Sequence, residues 1–597
     1  MRKNIFYLLV PAFIFVLTGL RVSGQTKELS LDVIFKSREL RAKGPGAIIP
    51  LRDGKHYLKN DRDTLWKYEY STGKKDGYLL VFSEIKDADG KVIEPDDFTL
   101  SADETQMLIA TETEAIYRHS SKAEYYIFNL STKQVLRLSE GGKQRLAEFS
   151  PDGKKVAFVR DNNLYIKDLS NGTETAITTD GKINSIIYGT TDWVYEEEFS
   201  FTKGFFWSPD GKQLAYYRFD ESKVKEFSMP MYGSLYPGEY RYKYPKAGED
   251  NSIVDIYVYD LLTGKSVKMM TGSENDQYLP RMMWADNSGL LAVQRLNRLQ
   301  NHLEILLYDP VSGNGKLVYE EKNKWYIEIT DDMTFLPGGK QFLITSQKSG
   351  FNHIYLISTD GRPEVQLTRG NWEVEQILGY NPARKNVFFK AAYSSPLNRE
   401  ICSVDLKGRL KVIAGIPGTN SAQFDPTFKW FMKTWSDANT PPVYSICDAN
   451  GKELRILEDN SALKGKIQEW GLQPREFFTF KTSQGVELNG WMIRPVGFEA
   501  GKRYPVLVYL YGGPGSQTVT NSWGGGQLWY QMLAQKGILV VSVDNRGTGF
   551  RGEEFRKMTY GQLGKFIEIT FLMSFLFVTK FRNKNRSCNS NVERFRP

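Results

Sequence analysis

The pattern of apolar and polar positions changes character twice along the 597 residues. An apolar run over residues 5–20 follows Arg2 and Lys3 and gives way to small residues at Val22-Ser-Gly24. A charged start, a short apolar centre and a small-residue site read as an export signal over residues 1–24, cut before Gln25. The run falls short of the roughly 20 apolar residues of a membrane span. The expectation is an exported chain, periplasmic or extracellular, associated with a membrane only if the signal stays uncleaved.

Between residues 100 and 430 one phrase recurs: an aromatic or apolar residue, Ser-Pro-Asp-Gly or a relative, then a short β-branched or aromatic run. It is clearest at Phe149-Ser-Pro-Asp-Gly153 and Trp207-Ser-Pro-Asp-Gly211, with looser copies beginning at Leu100, Trp284, Phe335, Tyr380 and Phe424. Pro presets φ at the corner, Asp bonds its own backbone, and Gly accepts positive φ, so each phrase predicts a tight turn into a strand. One copy per roughly 45–60 residues is the spacing of a four-stranded propeller blade. Seven copies, with a partner at 65–82, predict an all-β propeller of seven to eight blades over residues 30–470. The longest interval holds a Tyr- and Pro-rich stretch, 229–246, which reads as a loop or hairpin projecting from one blade.

After residue 470 the pattern changes again. Residues 476–481 and 486–494 alternate like a hairpin, and 504–511 form a continuous apolar strand of the kind buried on both faces of a parallel sheet. Gly512-Gly-Pro-Gly-Ser516, a helix over 527–536, a second buried strand over 538–543 and Asp544-Asn-Arg-Gly-Thr-Gly549 follow. Strand, glycine-rich loop, helix, strand is the opening of an α/β-hydrolase sheet. No Gly-Lys-Ser/Thr follows the glycines, so the loop is not a phosphate-binding one. The expectation is an incomplete α/β-hydrolase domain over 471–564. Beyond it, residues 565–597 lose periodicity and end rich in Asn and Arg, which reads as an aberrant, out-of-frame tail.

Composition adds exclusions. The net charge of +8 is spread along the chain, with its clearest excess in the tail, so no nucleic-acid surface is expected. Aromatic content of 13% suits a strand-rich protein. Cys402, Cys447 and Cys588 make no disulfide framework, although a single Cys402–Cys447 bridge stays open. His and Cys nowhere take metal-ligand spacing, so neither a metal nor a cofactor is expected.

Asp192-Trp-Val-Tyr-Glu-Glu-Glu198 stands out just before a blade phrase. Adjacent carboxylates repel one another, and such runs are usually solvated surface. The flanking residues change that weight, because the whole segment resembles a signature of the dipeptidyl peptidase IV family. The resemblance extends over residues 30–564. It implies that Glu197 and Glu198 hold the free α-amino group of a peptide substrate. It also implies that Arg118, in Tyr117-Arg-His-Ser120, contacts a substrate carbonyl or neutralises the glutamates. Tyr511 matches the tyrosine whose hydroxyl donates to the developing oxyanion, and the motif 544–549 has a positioning role. The family activity would be that of a secreted serine exopeptidase, releasing N-terminal di- or tripeptides after proline or alanine, with a homodimeric parent. Family order then requires Gly-x-Ser-x-Gly, an acid and a histidine. The sequence contains no Gly-x-Ser-x-Gly, and His56, His119, His302 and His353 all precede the hydrolase segment. Nucleophile, acid and base are therefore absent, and the chain alone is expected to be inactive. The alternative is a non-catalytic propeller that binds peptide N-termini.

Overall fold

The computed structural model describes residues 27–566, apart from 483 and 525. The expected signal and nearly all of the expected tail lie outside the described residues.

Residues 48–458 form eight antiparallel blades, at 48–81, 97–137, 145–176, 186–268, 277–322, 334–366, 373–414 and 419–458. The recurring phrase builds the turn before the second strand. In blade three the Ser150 hydroxyl donates to Asp152 (2.6 Å), Gly153 sits at φ +68° and its N–H closes on Ser150 O (2.9 Å). Blade four repeats this through Ser208, Asp210 and Gly211. Blade one carries a relative without proline, Leu51-Arg-Asp-Gly54, with Gly54 at φ +63°. The second strands that follow, such as Lys155–Arg160 and Gln213–Asp220, are largely buried, because each is covered on both faces by neighbouring blades.

Each blade is a continuous stretch of chain, so side chains alone close the ring. Trp430 Nε1 donates to Gly54 O (3.1 Å), Gln423 Nε2 to Ile48 O (3.1 Å) and Arg455 to the Tyr70 carbonyl. Ile48, Tyr57, Tyr70 and Ile446 pack beneath these bonds, between blades one and eight. The stretch expected to project does so, as a two-stranded hairpin, Glu226–Met231 with Gly238–Lys243, inserted between two strands of blade four.

The hydrolase segment is a four-stranded sheet in the order Arg475–Lys481, Glu487–Ile493, Leu539–Val543, Val506–Tyr509, the last pair parallel. The helix Gln527–Gln535 buries Tyr530 and Ala534 against Trp491, Ile493 and Val540. Leu539–Val543 is buried as expected, but Val506–Tyr509 is not the doubly covered strand that its composition suggested. It lies at the edge, with Val506, Leu507 and Tyr509 all exposed, because among the described residues no strand pairs with its outer side. The possible bridge is also corrected. Cys402 and Cys447 are free thiols buried in blades seven and eight, Cys402 packing within its own apolar cluster.

Candidate functional site

The inner strand of blade four is split. Ile186–Tyr188 and Phe205–Trp207 both pair with Gln213–Asp220, and residues 189–204 leave the sheet between them. The excursion is pinched at its base, where Gly204 N–H donates to Gly189 O (3.0 Å). Glycine is required on both sides of the pinch: Gly189 sits at φ +66°, and a Cβ on Gly204 would lie 2.9 Å from Thr190 O.

At the head of the excursion the helix Trp193–Glu197 is capped by Asp192, which accepts from Tyr195 N (2.9 Å) and from the Ser252 hydroxyl (2.7 Å). Complete burial pushes the Asp192 carboxyl up to about 6 despite those bonds. Tyr195 anchors the helix to blade five, its hydroxyl accepting from Leu279 N (2.8 Å), and the Trp193 ring meets Tyr244 edge-on at 4.2 Å.

The three adjacent glutamates then take three different environments. Glu196 is buried and accepts from His119 N (2.8 Å) and Ser120 N (2.9 Å), so it ties the helix to the loop carrying Arg118. Glu197 is 18% exposed and lies 3.1 Å from Arg118 Nε, yet the angle makes no hydrogen bond, and Glu197 Oε2 is buried without a donor. Glu198, at the helix C-cap, is open to solvent. Two amides and one guanidinium thus relieve the repulsion that the sequence raised.

Two residues here escaped the sequence reading. Arg145 opens the inner strand of blade three beside this cluster; burial holds its guanidinium below the usual range, against the pull of Glu196. Ser120 is 3% exposed, and its hydroxyl has no partner. Arg145 belongs to no motif, and Ser120 closes the Tyr117-Arg-His-Ser120 segment without a role read for it; their proximity arises only from the packing of blades two, three and four.

The structure therefore brings Arg118, Glu197 and Glu198 together. Tyr511 stands apart on the hydrolase segment. It is 66% exposed, its ring lies against Gly513 (a Cβ there would sit 2.6 Å from Cε1), and its hydroxyl has no partner among the described residues. Asp544 holds the following loop, accepting from Thr518 N (2.9 Å), the Thr518 hydroxyl (2.7 Å) and Val519 N (3.1 Å). The same segment docks on the propeller: Gly552 N donates to Glu373 (2.8 Å), Arg556 pairs with Glu328 (2.9 Å), and the Arg399 guanidinium lies 3.7 Å from the Phe550 ring centre. His353 is buried between the Thr368 hydroxyl (3.0 Å) and Gly370 O (2.9 Å), and burial lowers its pKa. That is a core histidine, not a base. Among the described residues no acidic or His/Cys cluster could hold a metal, and no helix is long and apolar enough to cross a membrane.

Residues 101–442 match the sequence profile of the dipeptidyl peptidase IV N-terminal region. A protein of Botryotinia fuckeliana named probable dipeptidyl-aminopeptidase B is 32% identical over 550 residues, covering 86% of this chain and 59% of the relative. One of Emericella nidulans named probable dipeptidyl peptidase 4 is 30% identical, with 85% and 69% covered. The crystal structure of Porphyromonas gingivalis dipeptidyl peptidase 4 superposes with a TM-score of 0.88 at 39% identity, over 94% of this chain and 80% of that one. The chain thus spans less than two thirds of the aminopeptidase B relative. On a profile that spans more than half of its length, and on a propeller and hydrolase segment shared with a solved dipeptidyl peptidase, the chain belongs to the dipeptidyl peptidase IV family.

Proposed function

We propose that the propeller of this chain holds the free amino terminus of a peptide on Glu197 and Glu198, in the manner of an exported dipeptidyl exopeptidase that cuts after proline or alanine. The observation that carries the reading is Glu197 Oε2, a buried carboxylate oxygen that lacks a donor, next to the solvent-open Glu198. An ammonium has three donors to offer, and two convergent carboxylates bind it by charge-assisted hydrogen bonds. Arg118, beside Glu197, would meet the first peptide carbonyl, and Tyr511 would donate to an oxyanion. Catalysis needs a nucleophile with an adjacent base. The sequence supplies neither a Gly-x-Ser-x-Gly nor a histidine beyond His353, so the 597-residue chain alone binds without cleaving.

Calorimetric titration with the amide of Ala-Pro-Phe-Tyr, free and N-acetylated, tests this. The free peptide binds, acetylation abolishes binding, and Glu197→Ala weakens it at least tenfold. Equal binding of the acetylated peptide refutes the reading. Release of nitroaniline from an Ala-Pro anilide by the purified chain would refute the claim of inactivity.

A further inference from the structure

Arg145 is a cation in a recess without an anion. It forms no hydrogen bond and no ion pair, its Nε is buried, and the side chain retains partial access to solvent. Arg160, Arg295 and Arg475 by contrast meet an acceptor, Glu174 (2.8 Å), Glu304 (2.6 Å) and Gln527 (2.9 Å), and Arg546 lies over the Phe566 ring. A guanidinium removed from water keeps five donors that something must satisfy. Glu196 does not do so. It acts on Arg145 only at a distance, and its Oε1 already accepts two amides.

The position of Arg145 is fixed by backbone. Its neighbour Gln144 exchanges two hydrogen bonds with Ala123 (2.9 Å each), three residues after Ser120. The start of blade three's inner strand is thereby held against the strand that leaves the Arg118 loop. Around one carboxylate, Glu196, stand the loop amides, the unpartnered Ser120 hydroxyl and the unpartnered Arg145 guanidinium. The Ser120 hydroxyl is sealed from solvent, whereas the Arg145 side chain keeps partial access, and a guanidinium in that state fits a carboxylate, which accepts charge-assisted bonds from it.

We propose that Arg145 is a specificity-determining residue that receives a carboxylate carried on the side chain of the peptide's first residue, so that the chain prefers peptides beginning with Asp or Glu. The inference rests on the amine-binding reading above. With the amine on Glu197 and Glu198 and the first carbonyl at Arg118, the side chain of the first residue is the remaining group that branches beside the helix. The sign of the preference is diagnostic. Three glutamates alone disfavour an acidic first residue, and only a cation such as Arg145 reverses that.

The test compares the amides of Asp-Pro-Phe-Tyr and Asn-Pro-Phe-Tyr, isosteric at the first residue, by calorimetry on the full chain at pH 7. The Asp peptide binds about tenfold tighter, the scale of one charge-assisted hydrogen bond. Arg145→Gln brings the Asp peptide down to the affinity of the Asn peptide or below it and leaves the Asn peptide unchanged. Equal affinities for the wild-type chain, or tighter binding of the Asn peptide, overturn the proposal. So does a loss of both peptides in the same proportion in Arg145→Gln, which is what a mere counter-charge to Glu196 gives. If that variant does not fold, the wild-type ratio decides alone. Binding of neither peptide removes the amine-binding reading itself, and this inference with it.

Discussion

Replacing Glu196 by alanine separates a glutamate that positions the site from those proposed to bind the amine. The carboxylate accepts from Ser120 N and His119 N across a gap of more than seventy residues in sequence. Ser120 is buried, so its amide finds no water when the acceptor is removed, and losing a bond to a charged group there costs about 1.5–3 kcal/mol. His119 is exposed and recovers a water, so its share is about 0.5 kcal/mol. The loop therefore loosens by about 2–3 kcal/mol, a roughly 30- to 150-fold rise in exchange rate for amides that open locally. Hydrogen exchange read by mass spectrometry on peptides covering residues 117–122 measures this directly. Glu196→Gln keeps an acceptor without the charge and loses about half as much. Peptide affinity falls with the loop, because Arg118 is carried on it. An alanine variant whose 117–122 amides exchange at the wild-type rate would show that the two bonds do not hold the loop.

Three further outcomes follow from burial. Asp192, raised to about 6, and Glu221, raised to about 7 by burial and by Asp192 nearby, bind protons more tightly folded than unfolded. For these two groups the native state holds the excess protons, so the stability they contribute is greatest at low pH and falls as pH rises from about 4 to about 7. Asp192→Asn removes about 2–3 kcal/mol of that slope, and urea midpoints at pH 4.5 and 7.5 measure it, an unchanged slope counting against a buried cap. His353 carries the opposite sign: its folded pKa is lowered, so its contribution is lost as pH falls below about 6.5. His353→Ala should cost about 2–4 kcal/mol of stability and leave peptide affinity intact; a selective loss of affinity would give it a role at the site. The exposed edge Val506–Tyr509 should drive self-association that Leu507→Lys suppresses, as light scattering would report, and a monodisperse wild-type chain would refute it.

Much of the propeller was legible because its determinants are local. Ser150, Asp152 and Gly153 make their turn within five residues, and the same chemistry recurs at Ser208 and Ser101. Blade one was harder to count, since Leu51-Arg-Asp-Gly54 lacks the proline that marks five of the seven phrases. The projecting hairpin was legible from its composition. The split inner strand of blade four was not, because Gly189 and Gly204 are unremarkable until the strands Ile186–Tyr188 and Phe205–Trp207 are seen on one partner. At the site, the acidic run and Arg118 could be read from a motif, but the division of labour among Glu196, Glu197 and Glu198 could not.

The sequence by itself determined the turns, the strand spacing and the glycine-rich hydrolase opening, since each is written in residues a few positions apart. Only the tertiary structure decided which of three identical side chains is buried, because that depends on amides that blade two delivers to the helix of blade four. It also decided that Val506–Tyr509 is an exposed edge and that Cys402 and Cys447 are free, since a strand's composition does not say what lies beside it. Arg145 makes the point most sharply. A solitary arginine in a strand carries no signal, and it became a candidate binding group when packing removed it from water and brought it no anion.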